Sequence, residues 1–304
     1  MGQETKPVRR ALVVGPVSLA LAVALSACGT SPGPDSGQPT SSASTSTSPT
    51  GTTTTATSPS DTLTGMPVYW IAESRRSFAL YREFREVPNT GGPVSSAVSA
   101  MMTLKPLDPD YTTPWRPPSR VTVSQSGNAI TVDLSKDALA NTQLGSELAS
   151  RALQQLVYTA TAAVQQAGTP ASTVTVTVDG AAYDAWGVIR LGEPMQRAPM
   201  SEVQAHVWVT SPQEGEDLPA GTVTFKGFGT SFEANFLWEV RNDSGAVVAK
   251  GFTMNRTGAG KFGEFTFTAK LTAGTYSVKV STDDPSDGAE GPGSAVDDKT
   301  FTVH

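Results

Sequence analysis

The single cysteine of the chain, Cys28, follows Leu25-Ser26-Ala27 and carries the side chain best suited to covalent chemistry. A thiol is a nucleophile once it loses its proton, so it can be acylated or alkylated. The residues before it hold three basic side chains and then an uncharged run over 11–25. A basic region, an apolar region and a small-residue site in this order are typical of a secretory signal peptide. We therefore predict that residues 1–27 are removed by cleavage after Ala27.

A cysteine directly after two small residues resembles the lipobox of bacterial lipoproteins. The resemblance implies that a diacylglycerol is joined to the thiol and that Cys28 becomes the first mature residue. Each buried methylene contributes about 0.8 kcal/mol, so two or three acyl chains on one residue anchor a protein stably. An uncleaved membrane helix is the alternative, but the uncharged run is interrupted by Pro16 and falls short of the roughly 20 residues that span a bilayer.

The segment after the cysteine is a low-complexity tether. Residues 29–65 hold 12 Thr and 9 Ser among 37 positions, with no aromatic residue and no Lys or Arg. Such a composition buries too little apolar surface to offset its conformational entropy. We predict a disordered tether over 28–65. Its length would carry folded domains away from the lipid surface, and its Ser/Thr/Pro composition permits O-glycosylation.

The charge of the chain argues against nucleic acid as a partner. The formal net charge is −6, and loss of 1–27, with three basic residues and one acidic, makes it −8. No basic cluster is visible in the sequence, and proteins that bind nucleic acid need one. The single cysteine also excludes an internal disulfide framework.

The folded part divides near residue 200, at the polar, proline-containing stretch 193–201. In the first segment, 66–197, apolar residues at helical spacing predict helices beginning at Pro93 and over 146–167. Alternating patterns predict strands over 68–71, 79–87, 121–124, 130–134 and 173–179.

Five ordered stretches of this segment resemble the GerMN domain of sporulation and germination proteins, a domain also found in lipoproteins of actinobacteria. These stretches are Val68-Tyr69-Trp70, Arg82 to Arg85, Val132-Asp133-Leu134-Ser135, Leu156-Val157-Tyr158-Thr159 and Val176-Thr177-Val178-Asp179-Gly180. The resemblance implies a small α+β fold with a sheet on one side and helices on the other, acting as an assembly module without catalytic residues.

The second segment, 200–304, has the pattern of an all-β sandwich. Seven short alternating runs lie at 205–210, 221–227, 233–242, 246–254, 262–269, 274–282 and 297–303. About seven strands in about 100 residues indicate an immunoglobulin-like fold. Phe236, Trp238 and Val240 share one face of the third run, and the polar Asn235, Glu239 and Arg241 share the other, so we expect the first three to face the core.

This segment also resembles a known family, the immunoglobulin-like spore-germination domain called Gmad2, which commonly follows GerMN. The resemblance is carried by Gly227-Phe228-Gly229, Phe232-Glu233, Gly251 and Phe262-Gly263-Glu264-Phe265. We therefore predict an α+β GerMN-like domain over 66–197 and an immunoglobulin-like sandwich over 200–304, preceded by a signal peptide and a disordered linker.

Residues that support enzyme chemistry are sparse. The two histidines, His206 and His304, lie far apart in the sequence, and no Gly-x-Ser-x-Gly elbow is present in the two folded segments, since the single match to that pattern, at 29–33, lies in the tether. Acidic residues crowd 283–298, where a calcium site is the alternative to a solvated loop, but the spacing lacks the EF-hand pattern. We predict no catalytic residue, no metal site and no cofactor.

The proline-rich loop over 106–118 is the candidate binding loop. Tyr111, Trp115 and Arg116 are residue types that are enriched at binding hot spots, and prolines reduce the entropy lost on binding. The alternative is that Tyr111 and Trp115 cover the hydrophobic face of a sheet.

We expect a non-enzymatic lipoprotein of an actinobacterium or similar Gram-positive organism, anchored through Cys28 on the outer face of the cytoplasmic membrane and extending into the wall. Its expected role is binding or scaffolding of an envelope protein partner. One alternative is wall-glycan binding through stacking on Trp115, Trp186 or Trp208. The other is a divergent envelope hydrolase that uses paired carboxylates.

Overall fold

The computed structural model describes residues 61–75, 77–141, 144–169, 171–283 and 293–304, all of which fall within a single compact unit. The predicted signal peptide, Cys28 and the tether up to residue 60 lie outside the described residues. No helix in the described ranges combines the length and apolarity that a membrane span needs.

The first domain mixes helices with two main sheets and a third, small sheet of two short strands. Its elements are β1 (Thr62–Ser74), β2 (Ser77–Pro88), α1 (Pro93–Thr103), β3 (Val121–Ser126), β4 (Ala129–Leu134), a 3₁₀ turn (Lys136–Leu139), α2 (Ser146–Gln166), β5 (Thr173–Val178), β6 (Asp184–Ala185), β7 (Ile189–Arg190), β8 (Pro194–Met195) and α3 (Met200–Val203). Strands β1 and β2 form a long antiparallel hairpin, and a second sheet has the order β3-β4-β5-β8. The predicted helices and the β3–β4 hairpin are confirmed.

The first strand begins earlier than predicted. The sequence places 62–65 in the disordered tether, whereas β1 begins at Thr62, which pairs with Pro88. The reason is that the partner strand β2 continues to Pro88 and offers backbone groups to these residues. Pairing on one edge thus overrides the polar composition that predicted disorder.

Helices α1 and α2 pack against each other between the β1–β2 hairpin and the β3-β4-β5-β8 sheet. Both contact β1, while α1 also contacts β3 and α2 also contacts β5. Helix α2 is buried at successive positions from Gln155 to Val164, so more than one of its sides is covered. This differs from the expected arrangement of one sheet with helices on one side only.

The second domain is a two-sheet sandwich. Its strands are β9 (Val207–Ser211), β10 (Glu216–Leu218), β11 (Gly221–Gly229), β12 (Asn235–Asn242), β13 (Val247–Met254), β14 (Gly263–Leu271), β15 (Gly274–Thr282) and β16 (Val296–Val303). One sheet has the order β10-β16-β15-β12-β13 and the other β14-β11-β9. All seven predicted strands are present, and β10 is an additional short strand that pairs in parallel with β16.

The core of the sandwich is aromatic. Phe225 and Trp238 both stack on Phe267. Their ring centroids lie 4.8 Å and 4.4 Å from that of Phe267, respectively. Phe236 and Val240 are fully buried, so the inward face predicted for β12 is confirmed. Gly251 lies opposite Trp238, and a Cβ there would come within 2.7 Å of the indole ring. A side chain at 251 would therefore displace Trp238.

Candidate functional site

The two aromatic residues of the candidate binding loop are buried. Tyr111 is 6% exposed and Trp115 is 2% exposed, while Arg116 remains exposed. The indole Nε1 of Trp115 donates to the carbonyl of Ala152 at 3.2 Å. Buried rings cannot stack on a partner's surface, so the structure supports the packing interpretation for Tyr111 and Trp115.

The loop is held by a buried carboxylate on β2. One oxygen of Glu83 accepts hydrogen bonds from the backbone N–H groups of Leu107 and Asp108, at 2.8 and 3.0 Å. The other oxygen accepts from the Nε1 of Trp70 at 2.8 Å and pairs with Arg85 at 2.9 Å. The hydrogen bonds from Leu107 and Asp108 to Glu83 fix the start of the loop, so that the side chains of Asp108 and Tyr111 lie against the second domain.

A buried polar cluster joins the two domains there. The ammonium of Lys299 on β16 pairs with the carboxylates of Asp108 and Asp297, the latter at 3.0 Å, and donates to the Tyr111 hydroxyl at 2.8 Å. That hydroxyl donates to Asp297 Oδ1 at 2.9 Å, and Asp297 Oδ2 accepts from the backbone N–H of Val209 at 2.7 Å. The sequence placed Asp297 in a solvated acidic loop, which is wrong, because its neighbours supply the hydrogen bonds that burial of a carboxylate requires.

The electrostatics of this junction cluster follow from its composition of one ammonium and two carboxylates. Burial is the main cause that raises the pKa of Asp297 to about 6, against the lowering effect of Lys299. The pKa of Lys299 is also raised, since the attraction of Asp297 and Asp108 exceeds the opposing effect of burial. Asp297 therefore holds its proton more readily than a carboxyl group in water does.

Apolar packing strengthens the junction. Trp208 on β9 is 1% exposed and belongs to the hydrophobic core of the first domain, not to that of its own sandwich. The backbone N–H of Ala205 donates to the Leu80 carbonyl at 3.0 Å, and the Gln213 amide oxygen accepts from the N–H of Phe84 at 3.0 Å. Strand β2 is therefore attached along its length to the segment that starts the second domain.

The outer face of the five-stranded sheet exposes several large apolar side chains and is therefore a candidate surface for binding a partner. A row of side chains crosses this face by register: Phe252 lies opposite Leu237, Leu237 opposite Ser281, and Ser281 opposite Val296. Phe252 is 70% exposed and Leu237 45% exposed, and Met254, two residues beyond Phe252, is 58% exposed. We call Leu237, Phe252, Met254 and Val296 the apolar row.

A charged row runs beside the apolar row. Lys250 lies opposite Glu239, Glu239 opposite Lys279, and Lys279 opposite Asp298, so the sign of the charge alternates across four strands. Between the two rows lies a groove of about 500 Å³, lined in part by Leu237, Glu239 and Lys279. An apolar surface bordered by fixed charges provides both buried area and a register for a partner.

Strand β13, which carries Phe252 and Met254, is an edge strand of its sheet. An edge strand presents backbone N–H and C=O groups that another extended chain can pair with. This surface could not be located from the sequence, because the alternating core residues of each strand do not show whether the opposite face is covered. The one sequence feature that indicated an exposed apolar surface is Leu237, an apolar residue at an outward position of β12.

The structure places the remaining candidates as follows. Of the three tryptophans considered for glycan stacking, Trp115 and Trp208 are buried. Trp186 is half-buried, with its ring 4.9 Å from that of Trp115. His206 is half-buried, and burial lowers its pKa. Within the described ranges, no group of three or more His, Cys, Asp or Glu side chains is arranged to hold a metal ion.

Comparison with known proteins follows the division of the fold. Residues 67–184 match the family model Germane, described as sporulation and spore germination, and residues 206–289 match Gmad2, the immunoglobulin-like domain of bacterial spore germination. A comparison with curated proteins returns no match.

Among solved structures, CopC from Methylosinus trichosporium OB3b is 19% identical, covering 32% of this chain and 93% of that chain, with a TM-score of 0.24. The fibronectin(III)-like modules of Clostridium thermocellum CbhA are 14% identical, covering 32% and 94%, with a TM-score of 0.23. The two family matches, which follow one another without overlap, identify the chain as a Germane (GerMN-like) domain followed by a Gmad2 immunoglobulin-like domain.

Proposed function

We propose that this chain is a non-enzymatic binding or scaffolding lipoprotein of the cell envelope, which binds a protein partner through the apolar row and the β13 edge. The observation that carries the proposal is the group of exposed apolar side chains, centred on Leu237 and Phe252, on the outer face of the five-stranded sheet. Soluble single domains rarely expose such a row unless a partner covers it. The alternating charges beside it fix how that partner is oriented.

A protein partner is favoured over wall glycan by the chemistry of the row. Glycan recognition by stacking needs flat, exposed aromatic faces, and two of the three tryptophans considered for that role are buried. The row instead offers aliphatic and thioether side chains with one phenylalanine, which suit the apolar side chains of a protein surface.

The binding proposal is tested by crosslinking in envelope extract with the full chain as bait. The variant L237S/F252S removes the centre of the apolar row, whereas V188S/M200S changes two similarly exposed apolar residues in the first domain. We expect one discrete protein to be crosslinked by the wild type and by V188S/M200S, and to be lost with L237S/F252S. Equal recovery with all three baits, or recovery of wall glycan alone, would contradict the proposal.

The anchor is part of the same proposal and rests on the sequence around Cys28. The lipid would hold the chain on the outer face of the cytoplasmic membrane, and the Thr/Ser-rich tether would let the two domains reach into the wall. Cys28→Ala is expected to move the protein from the membrane fraction to the soluble fraction, because the anchoring acyl chains are lost. Cys28→Ala protein that still sediments with membranes would disprove the lipid anchor.

A further inference from the structure

A second concave site lies on the opposite sheet, where the first domain meets the second. Its volume is about 360 Å³, near the lower end of the range for small-molecule sites. The outward residues of β11 and β14 form one wall, among them Lys226 and Phe228, and Arg82 and Phe84 of β2 form the other. We call this the junction cleft.

The junction cleft collects positive charge on an acidic protein. Arg82, Lys226 and Arg256 line it together with one carboxylate, Glu264, which leaves a formal excess of two positive charges. The whole chain carries a formal charge of −6, so this concentration of cations runs against the overall composition. Within the described ranges, none of the three cationic groups forms an ion pair or donates a side-chain hydrogen bond.

Arg82 is both fixed in place and unsatisfied. The carbon of its guanidinium lies 4.8 Å from the centre of the Phe84 ring and 5.9 Å from that of Phe228. Stacking on rings immobilises the guanidinium and leaves the N–H edge available. Its Nε is buried and has no hydrogen-bond partner among the described residues. The two Nη groups of Arg82 also form no hydrogen bond with a described residue, and these groups, not the enclosed Nε, are the donors that an oxyanion in the cleft would bind.

We propose that the junction cleft binds a small phosphate monoester. A phosphate monoester carries about −1.5 to −2 charges at pH 7, which matches the excess of two positive charges. Its three terminal oxygens can accept hydrogen bonds from several cations at once, including the planar fork of Arg82. Phe84 and Phe228 add an apolar wall beside the cations for the carbon-bonded part of the ligand.

The test is isothermal titration calorimetry on the full chain at low ionic strength, with glycerol 3-phosphate, inorganic phosphate and glycerol as probes. We expect glycerol 3-phosphate to bind, added salt to weaken the binding, and glycerol to give no heat, because the phosphate supplies the attraction. Absence of binding by both phosphate probes, together with absence of binding to the vesicles described below, would overturn the proposal.

Variants assign the binding to the cleft. Arg82→Gln should weaken it about tenfold or more, because a charged hydrogen-bond donor is lost. Arg82→Lys keeps the charge but loses the fork, and is expected to give an intermediate affinity. The double variant K226Q/R256Q changes exposed side chains only and carries the test if Arg82→Gln does not fold. Lys270→Gln is the matched control on β14, outside the cleft, and an equal loss with this control would refute a specific site.

The source of the phosphate is distinguished with vesicles. The full chain with Cys28→Ala is sedimented with phosphatidylcholine vesicles, with and without phosphatidic acid, whose headgroup is also a phosphate monoester. Binding that depends on phosphatidic acid and is lost in K226Q/R256Q supports the site with a lipid as the source, and binding of the soluble probes alone supports it with a free ester. Vesicle binding that ignores these substitutions would overturn it. The apolar row lies on the other sheet, so this proposal and the partner proposal can fail separately.

Discussion

At the residue scale, Lys299 is the cation on which the junction between the domains depends. It is 3% exposed and pairs with both Asp108 and Asp297. In Lys299→Met these carboxylates would stay buried without a counter-ion. Breaking a buried pair by removing one partner costs about 3–5 kcal/mol. We expect a loss of that size in the free energy of unfolding, measured by urea denaturation at neutral pH.

The matched control for Lys299→Met is Lys270→Met on β14, where the lysine is exposed. Removal of an exposed lysine without an ion pair should change the free energy of unfolding by less than about 0.5 kcal/mol. Equal effects of the two substitutions would show that the junction cluster contributes nothing specific to stability.

The shared charge of the cluster also predicts a pH dependence. The pKa of Asp297 rises from 3.8 to about 6 on folding, mainly through burial, so the folded state binds this proton more tightly than the unfolded state. Its contribution to stability is therefore full below about pH 4 and is lost as pH rises through about 6. We expect Asp297→Asn, which cannot ionise, to flatten the fall in melting temperature between these values.

Two other carboxylates near the cluster also have raised pKa values, so the wild type is the reference for the variant. Burial also raises the pKa of Asp298 and of Glu214, and both groups remain in Asp297→Asn. Only the difference between wild type and variant across the pH series reports on Asp297. Parallel curves for the two proteins would contradict the role given to this residue.

At the scale of elements, α2 completes the backbone hydrogen bonding of β1. The Gln155 side chain donates to the carbonyl of Tyr69 at 2.8 Å, and the Thr159 hydroxyl accepts from the N–H of Tyr69 at 3.1 Å. We expect Gln155→Leu to cost about 1–3 kcal/mol in urea denaturation, because the buried carbonyl is left unpaired. Gln165→Leu, at an exposed position on the same helix, is the control and should be close to neutral.

The elements themselves were predictable because their signals are local. Helical spacing marked α1 and α2, and alternation marked β3 to β5 and the seven main strands of the sandwich. Strand β10 was missed, since Glu216–Leu218 has only three residues and is paired by a strand about 85 positions away. The start of β1 was misplaced because pairing with β2, and not the local composition, determines where the strand begins.

The contacts between the domains could not be predicted from the same patterns. Asp297 and Tyr111 are 186 positions apart, and no periodicity links them. Trp208 alternates correctly within β9, but alternation does not say that its outward face is covered by another domain. Exposure of Leu237 and Phe252 likewise depends on which sheet face remains uncovered. Sites formed by packing between distant segments therefore needed the structure.

At the scale of the whole molecule, the hydrophobic core of the first domain extends onto the sandwich through Trp208. This residue comes from the sandwich but lies in the core of the first domain, with its ring 5.1 Å from Phe228. Because neither domain can expose this contact without losing buried apolar area, we expect the wild type to unfold in one cooperative transition.

Trp208→Ala is the substitution that tests this coupling. Truncation of a buried tryptophan costs about 3–5 kcal/mol, and here the loss falls on the contact between domains. We expect differential scanning calorimetry to resolve two transitions in place of one. Phe225→Ala is the control, since Phe225 is equally buried but lies within the core of the sandwich, and it should lower the transition temperature without splitting the transition. A single transition in Trp208→Ala would mean that the polar contacts of Lys299 are sufficient to couple the domains. Two transitions in both variants would mean that the sandwich unfolds independently of the first domain whenever it is destabilised.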